Sequence, residues 1–310
     1  MTNANAASNG PPALAIVAGM HRAGTSAVAR ALAVLGFDLG PRLMSADARM
    51  NARGFFEDID IVAQDDALLA HFGADWKSVA LLADADFGDA ALAAHAAAAR
   101  ALLAARLAAT GRFACKDPRM PRVLPFWQRA LRELGCAEGY VIAVRHPTAV
   151  IASLTARDGL DARRSAWLWL THTVCSLAYT SDRPRVVVDY DRLLADPARE
   201  LVRIAGAFGL PAPAAGDPAV VEFRDRFLTT DLRHAQVASD IVDPAWPPLV
   251  AEAHALTVAL AAAPGAVDAA AAAPIAQLWA RLRACAPLLG YAGEVERAAD
   301  DVPRLAGELA

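Results

Sequence analysis

The stretch Ala13-Leu14-Ala15-Ile16-Val17-Ala18-Gly19-Met20-His21-Arg22-Ala23-Gly24-Thr25-Ser26 decides the fold. It opens as a short apolar run without helical spacing, which reads as a buried strand. Gly19 ends the run. From Ser26 to Leu35 apolar residues recur at helical spacing until Gly36, so the polar, glycine-bounded piece between is a loop joining strand to helix. Such a loop turns backbone N–H groups toward the positive end of the helix dipole and makes an anion site.

Working outward, Arg112-Phe113-Ala114-Cys115, Gly139 to Val144 and Arg185 to Asp189 read as further short buried strands. Helical patterns lie between and beyond them: Asp89 to Ala109, Pro147 to Arg157, Asp161 to Tyr179 and Arg192 to Phe208. Strands alternating with helices predict an α/β fold with a P-loop-type central parallel sheet flanked by helices. In such sheets ligands bind beyond the carboxyl ends of the strands. The polar clusters His21-Arg22, Lys116-Asp117 and Arg145-His146 each follow a predicted strand, so all three should converge on one rim. Residues 1–12 read as a disordered tail, 13–210 as the P-loop domain and 211–310, rich in Ala and Pro, as its helical C-terminal extension.

Composition narrows the partners. Of the 310 residues 56% are hydrophobic, yet much of that is alanine, which favours helices while burying little area. Pro264, Gly265, Asp268 and Pro274 interrupt the most alanine-rich stretch before it reaches the roughly 20 residues of a spanning helix. No membrane span and no secretory leader are therefore expected, and the protein should be cytoplasmic. A net charge of −4 argues against general nucleic-acid binding. Cys115, Cys136, Cys175 and Cys285 show neither metal-ligand spacing nor a disulfide pattern, and no metal is expected.

Gly19 and Gly24 have Walker A spacing, but Thr25-Ser26 follows where that motif needs Lys then Ser/Thr. Arg22 stands instead where a guanidinium can fork onto phosphate oxygens, with Thr25 and Ser26 as hydroxyl donors. The plainer alternative is a tight turn carrying a solvated Arg22.

Gly19-Met20-His21-Arg22-Ala23-Gly24-Thr25-Ser26 resembles the 5′-phosphosulfate loop of PAPS-dependent sulfotransferases, especially the bacterial and Golgi-type members with Arg in place of Lys. Val144-Arg145-His146-Pro147, with Ser153 downstream, is similar to the family segment whose Arg and Ser bind the 3′-phosphate. Val188 to Pro197 and Leu232-Arg233-His234 are also similar to family segments. The resemblance implies that Arg22, Ala23, Gly24, Thr25, Ser26, Arg145 and Ser153 bind the donor 3′-phosphoadenosine 5′-phosphosulfate. Arg233 would close over the 3′-phosphate or lie at the surface.

Lys116-Asp117-Pro118-Arg119 looks like the Lys-Asp-Pro segment of tyrosylprotein-type members, which implies that Lys116 and Arg22 neutralise the departing phosphate. Where cytosolic members carry a His base, this chain has Pro118. Asn51-Ala52-Arg53-Gly54-Phe55-Phe56-Glu57 resembles a bacterial segment that makes Glu57 the candidate base, its carboxyl raised by desolvation between Phe55, Phe56 and an apolar wall. A helix N-terminal glutamate is the structural alternative. Asp58, Asp60, Asp65 and Asp66 are expected mostly on a solvated helix face. His146 should make a strand-end hydrogen bond and His172 should pack; of Trp167 and Trp169, only one should enter the core. The implied reaction moves a sulfo group to a hydroxyl or amine of a carbohydrate, lipid or small molecule. A P-loop nucleotide kinase or NTPase, and a non-catalytic nucleotide-binding member, are the competing classes.

Overall fold

The computed structural model describes residues 12–46, 54–82, 87–228, 243, 246–267 and 269–308, with side chains as far as 299. Leu232-Arg233-His234 and Asn51-Ala52-Arg53 lie outside the described residues.

Strands β1 (Leu14–Ala18), β2 (Phe113–Lys116), β3 (Glu138–Val144) and β4 (Arg185–Asp189) form one sheet in the order β2-β1-β3-β4, all parallel. Register aligns Val17 with Lys116 and with Val141, so the carboxyl ends of β1, β2 and β3 share an edge. From β1 the chain crosses to β2 on one side, then returns over β1 to β3 on the other. The crevice beyond β1 and β3 is thus the switch point where such sheets hold ligands. The fold expectation is met, and the three polar clusters do reach one rim.

Alternation along each strand builds two cores. Ala15, Val17, Val141, Ala143, Val186 and Val188 face α1 (Thr25–Val34), α7 (Tyr190–Ala195) and α8 (Pro197–Ala207). Leu14, Ile16, Phe113, Cys115 and Tyr140 face the opposite layer of α2 (Ile59–His71), α3 (Ala93–Thr110) and α4 (Met120–Leu134). On that second side Ile142, Val144 and Val187 continue under α6 (Ala162–Tyr179), which α5 (Pro147–Asp158) precedes, and under residues of α10 (Pro248–Ala262) and α11 (Ala272–Ala284). The short α9 (Pro218–Glu222) leads into a π-helical turn, Phe223–Phe227, and α12 (Ala286–Glu308) ends the chain as described.

One helix departs from expectation. Arg192 to Phe208 is two helices, α7 and α8, because Pro197 cannot supply the N–H that would carry α7 onward and instead starts α8 under the Asp196 N-cap. The expectation that no apolar stretch reaches spanning length is corrected at Ala90–Thr110, whose 21 residues and mean hydropathy of 1.3 would let it cross a membrane by length and composition. Here Arg100 pairs with Glu133, Arg106 with Asp58, and Ala99 and Leu103 bury against the body of the protein.

Candidate active site

The loop after β1 is shaped by two glycines and one strained arginine. A Cβ on Gly19 would sit 2.5 Å from the Ala143 carbonyl oxygen, so only glycine lets the end of β1 approach β3 this closely. Gly24, at φ +87°, caps α1, and a side chain there would collide with the Tyr190 ring. Arg22 adopts φ +68°, a left-handed conformation that costs a non-glycine residue about 1–3 kcal/mol. Ala23 packs into the core while its N–H is taken by the Met20 carbonyl at 3.1 Å, so it shapes the loop.

That turn aims Arg22 across the crevice. Its Nε donates to Ser153 Oγ at 2.7 Å, uniting the loop with α5. Burial first, then Arg157 and Arg145, lower the Arg22 pKa, so three guanidinium groups share this region. Arg145 is 7% exposed, its guanidinium 4.8 Å above the Tyr190 ring, and its carbonyl accepts from Trp169 Nε1 at 3.1 Å. Trp169 is thereby the core tryptophan of the pair, with Trp167 half-buried. His146 accepts from the Thr148 N–H and caps α5, and His172 is fully buried against the Leu168 carbonyl, as expected of both. Burial, then Arg119 and Arg157, push the His21 pKa well below the ordinary imidazole value, and the Trp76 ring lies 4.7 Å from it.

On the other side of the loop, Lys116 projects from the end of β2 into a dry position. Nζ donates to the Phe55 carbonyl at 2.9 Å and to Ser26 Oγ at 3.5 Å, and forms an ion pair with Glu57 Oε1. Both partners are at most 4% exposed. Burial pushes the Glu57 carboxyl up and the Lys116 ammonium down, each against their mutual attraction. The desolvation expected at Glu57 is present and prevails over the opposing charge of Lys116, its ion-pair partner. The second oxygen, Oε2, is enclosed with no hydrogen-bond partner among the described residues.

Glu57 is held from both sides. Met44 N–H donates to the Glu57 carbonyl at 2.8 Å, and Ile59 N–H to that of Arg42 at 2.9 Å, forming an antiparallel bridge. Phe56, at φ +61°, packs edge-on against Phe227. Asp58 caps α2 and takes two bonds from Arg106, at 2.7 and 3.2 Å.

Asp58 and Asp65 correct the expectation of a solvated acidic face, being 1% and 0% exposed. Asp60 and Asp66 remain partly exposed and pair with Arg106 and Arg119. The burial of Asp65 had a readable signal, since it shares a helical face with Ile61, Leu68 and Leu69. Arg157 and Trp76 carried no such signal. Among the described residues no cluster of three or more His, Cys, Asp or Glu is arranged to hold a metal.

No family model matches this chain, and no curated protein does. Among solved structures it is similar to the sulfotransferase domain from the Synechococcus PCC 7002 olefin synthase, at 20% identity and a TM-score of 0.47. That similarity covers 81% of this chain and 95% of the other. The chemistry open to the site follows from its own geometry: clustered cations for a polyanion beside a buried carboxylate able to take a proton.

Proposed function

We propose that the protein transfers a sulfo group from PAPS to a hydroxyl or amine of a carbohydrate, lipid or small molecule and releases PAP. The observation that carries this reading is the Arg22–Ser153 contact, which ties the phosphate loop to α5 within reach of Arg145 and Arg157. Burial and the neighbouring Arg157 and Arg145 charges lower the Arg22 pKa, guanidinium groups gathered in this way favour an anion between them, and a nucleotide with both 5′- and 3′-phosphates suits that need. The same crevice lacks a lysine after Gly24, and Lys116 reaches Ser26 from the neighbouring strand instead. Arg22, Thr25 and Ser26 would hold the 5′ end, and Arg145 and Ser153 the 3′-phosphate.

PAPS supplies the sulfo group, whose bond to the phosphate oxygen breaks as the acceptor oxygen or nitrogen bonds to sulfur. Glu57 takes the proton that the acceptor gives up. Neutralising Glu57 removes the charge that holds Lys116, so the ammonium turns its field onto the phosphate just as negative charge collects there. Each donor aimed at that charge contributes on the order of 10²–10³ in rate. The base and the electrostatic stabiliser are one ion pair that separates during the reaction.

The test is transfer from labelled PAPS to a panel of sugar, lipid and phenol acceptors with chelator present. Sulfated product without added metal is expected. Magnesium-dependent ATP hydrolysis or phosphoryl transfer, with no sulfated product, would overturn the reading.

A further inference from the structure

Directly behind the Lys116–Glu57 pair lie two carboxyl groups that the proposed reaction does not use. Asp65 on α2 and Asp117 just past β2 are each 0% exposed. One oxygen of each is satisfied. Asp65 Oδ1 accepts from Trp127 Nε1 at 2.6 Å, and Asp117 Oδ1 accepts from both the N–H and Nη1 of Arg119 at 3.0 Å. The remaining oxygens, Asp65 Oδ2 and Asp117 Oδ2, are enclosed and receive no donor among the described residues. The Asp117 charge acts directly on Asp65, and a proton on Asp65 would relieve that repulsion and give a donor for the orphan oxygens.

We propose that Asp65 and Asp117 hold a single proton, with Asp65 as the neutral acid donating to Asp117, and that this contact positions Lys116-Asp117-Pro118-Arg119 behind the reacting groups. Asp65 is thus a positioning residue that acts through Asp117. Burial, then the Asp117 charge, raises the Asp65 carboxyl well above the usual carboxylate range, in keeping with this arrangement. The other charged or titratable groups around it are Cys115 on β2, Lys116 with Glu57, Arg119 with its partner Asp66, and Asp58. Charge explains why one proton helps. With both acids ionised, Asp65, Asp117, Glu57 and Asp66 would place four negative charges against Lys116 and Arg119 beside a crevice built for an anionic donor. The proton removes one of them.

The proton assignment stands apart from the sulfotransferase reading, while the effect on turnover rests on it, and the two are tested separately. Infrared difference spectroscopy between neutral and alkaline solution should show the carbonyl stretch of a protonated carboxylic acid in the wild type at neutral pH. Asp65→Asn should remove it. The Asn carbonyl can accept from Trp127 and its amide can donate to Asp117, so this variant mimics the protonated state. Asp65→Ala should lower sulfo-transfer turnover at least tenfold, and Asp65→Asn should restore most of that loss. Absence of the band in the wild type would overturn the proposal. So would a band that persists in Asp65→Asn, or an Asn variant as impaired as the Ala variant. Failure of the wild type to bind PAP would instead overturn the sulfotransferase reading and leave the infrared result to decide the proton.

Discussion

Arg22 and Ser153, 131 residues apart, meet at 2.7 Å, and the left-handed backbone at Arg22 is what brings them together. The contact joins residues that the family resemblance assigns to opposite ends of one nucleotide. On the proposed function Ser153 would have two tasks, contacting the 3′-phosphate and orienting the guanidinium that meets the 5′ end.

Arg22→Ala should abolish sulfo transfer and remove the rise in unfolding temperature that PAP gives the wild type, while the apo protein unfolds normally. Ser153→Ala should raise the KM for PAPS and also lower kcat, because Arg22 loses its orientation. Arg145→Ala should act chiefly on KM, since its contacts are alike in ground and transition states. Equal kcat in Ser153→Ala and wild type would show that the Arg22 contact is not used in catalysis.

Glu57→Gln should keep PAP affinity and cut kcat by about 10²–10⁴. The base works only when ionised, so wild-type activity should fall as pH drops through a carboxyl raised by burial, and this acidic limb should disappear in the mutant. Steady-state rates across pH, at saturating PAPS, make the comparison.

Removing one member of a buried ion pair strands the other. Lys116→Met alone should destabilise the protein by about 3–5 kcal/mol in denaturant titrations. Combining Lys116→Met with Glu57→Gln should recover much of that stability and none of the turnover. Additive losses in the double mutant would mean the two groups are not coupled.

Asp58→Ala removes the N-cap of α2 and takes from Arg106 one of its two carboxylate partners, at a cost of at least about 0.5–2 kcal/mol from the cap alone. Because Glu57 is the preceding residue, kcat should also fall while the KM for PAPS holds. Loss of stability with unchanged kcat would confine Asp58 to a structural role.

The sheet and the loop were legible because their signals are local. An apolar run, two glycines and a helical repeat occupy neighbouring positions in 13–36, and the clusters at Lys116 and Arg145 follow strands of the same kind. Pairings across the chain were not legible: nothing near Glu57 in sequence says that its buried neighbour is Lys116, 59 residues on. Asp65 shows the limit from the other side. Its place on the apolar face of α2 was readable, but the reason a carboxyl can be buried there depends on Trp127 and Asp117, which arrive from other elements.

The central claim is that the crevice between β1 and β3 holds a nucleotide carrying both 5′- and 3′-phosphates, without metal. Calorimetric titration of the protein with PAP in the presence of chelator, beside a titration with the analogue lacking the 3′-phosphate, tests it directly. One saturable site for PAP, markedly weaker binding of the analogue, and loss of that difference in Arg145→Ala are expected. Equal affinity for the two nucleotides, or binding of either only when magnesium is restored, would contradict it.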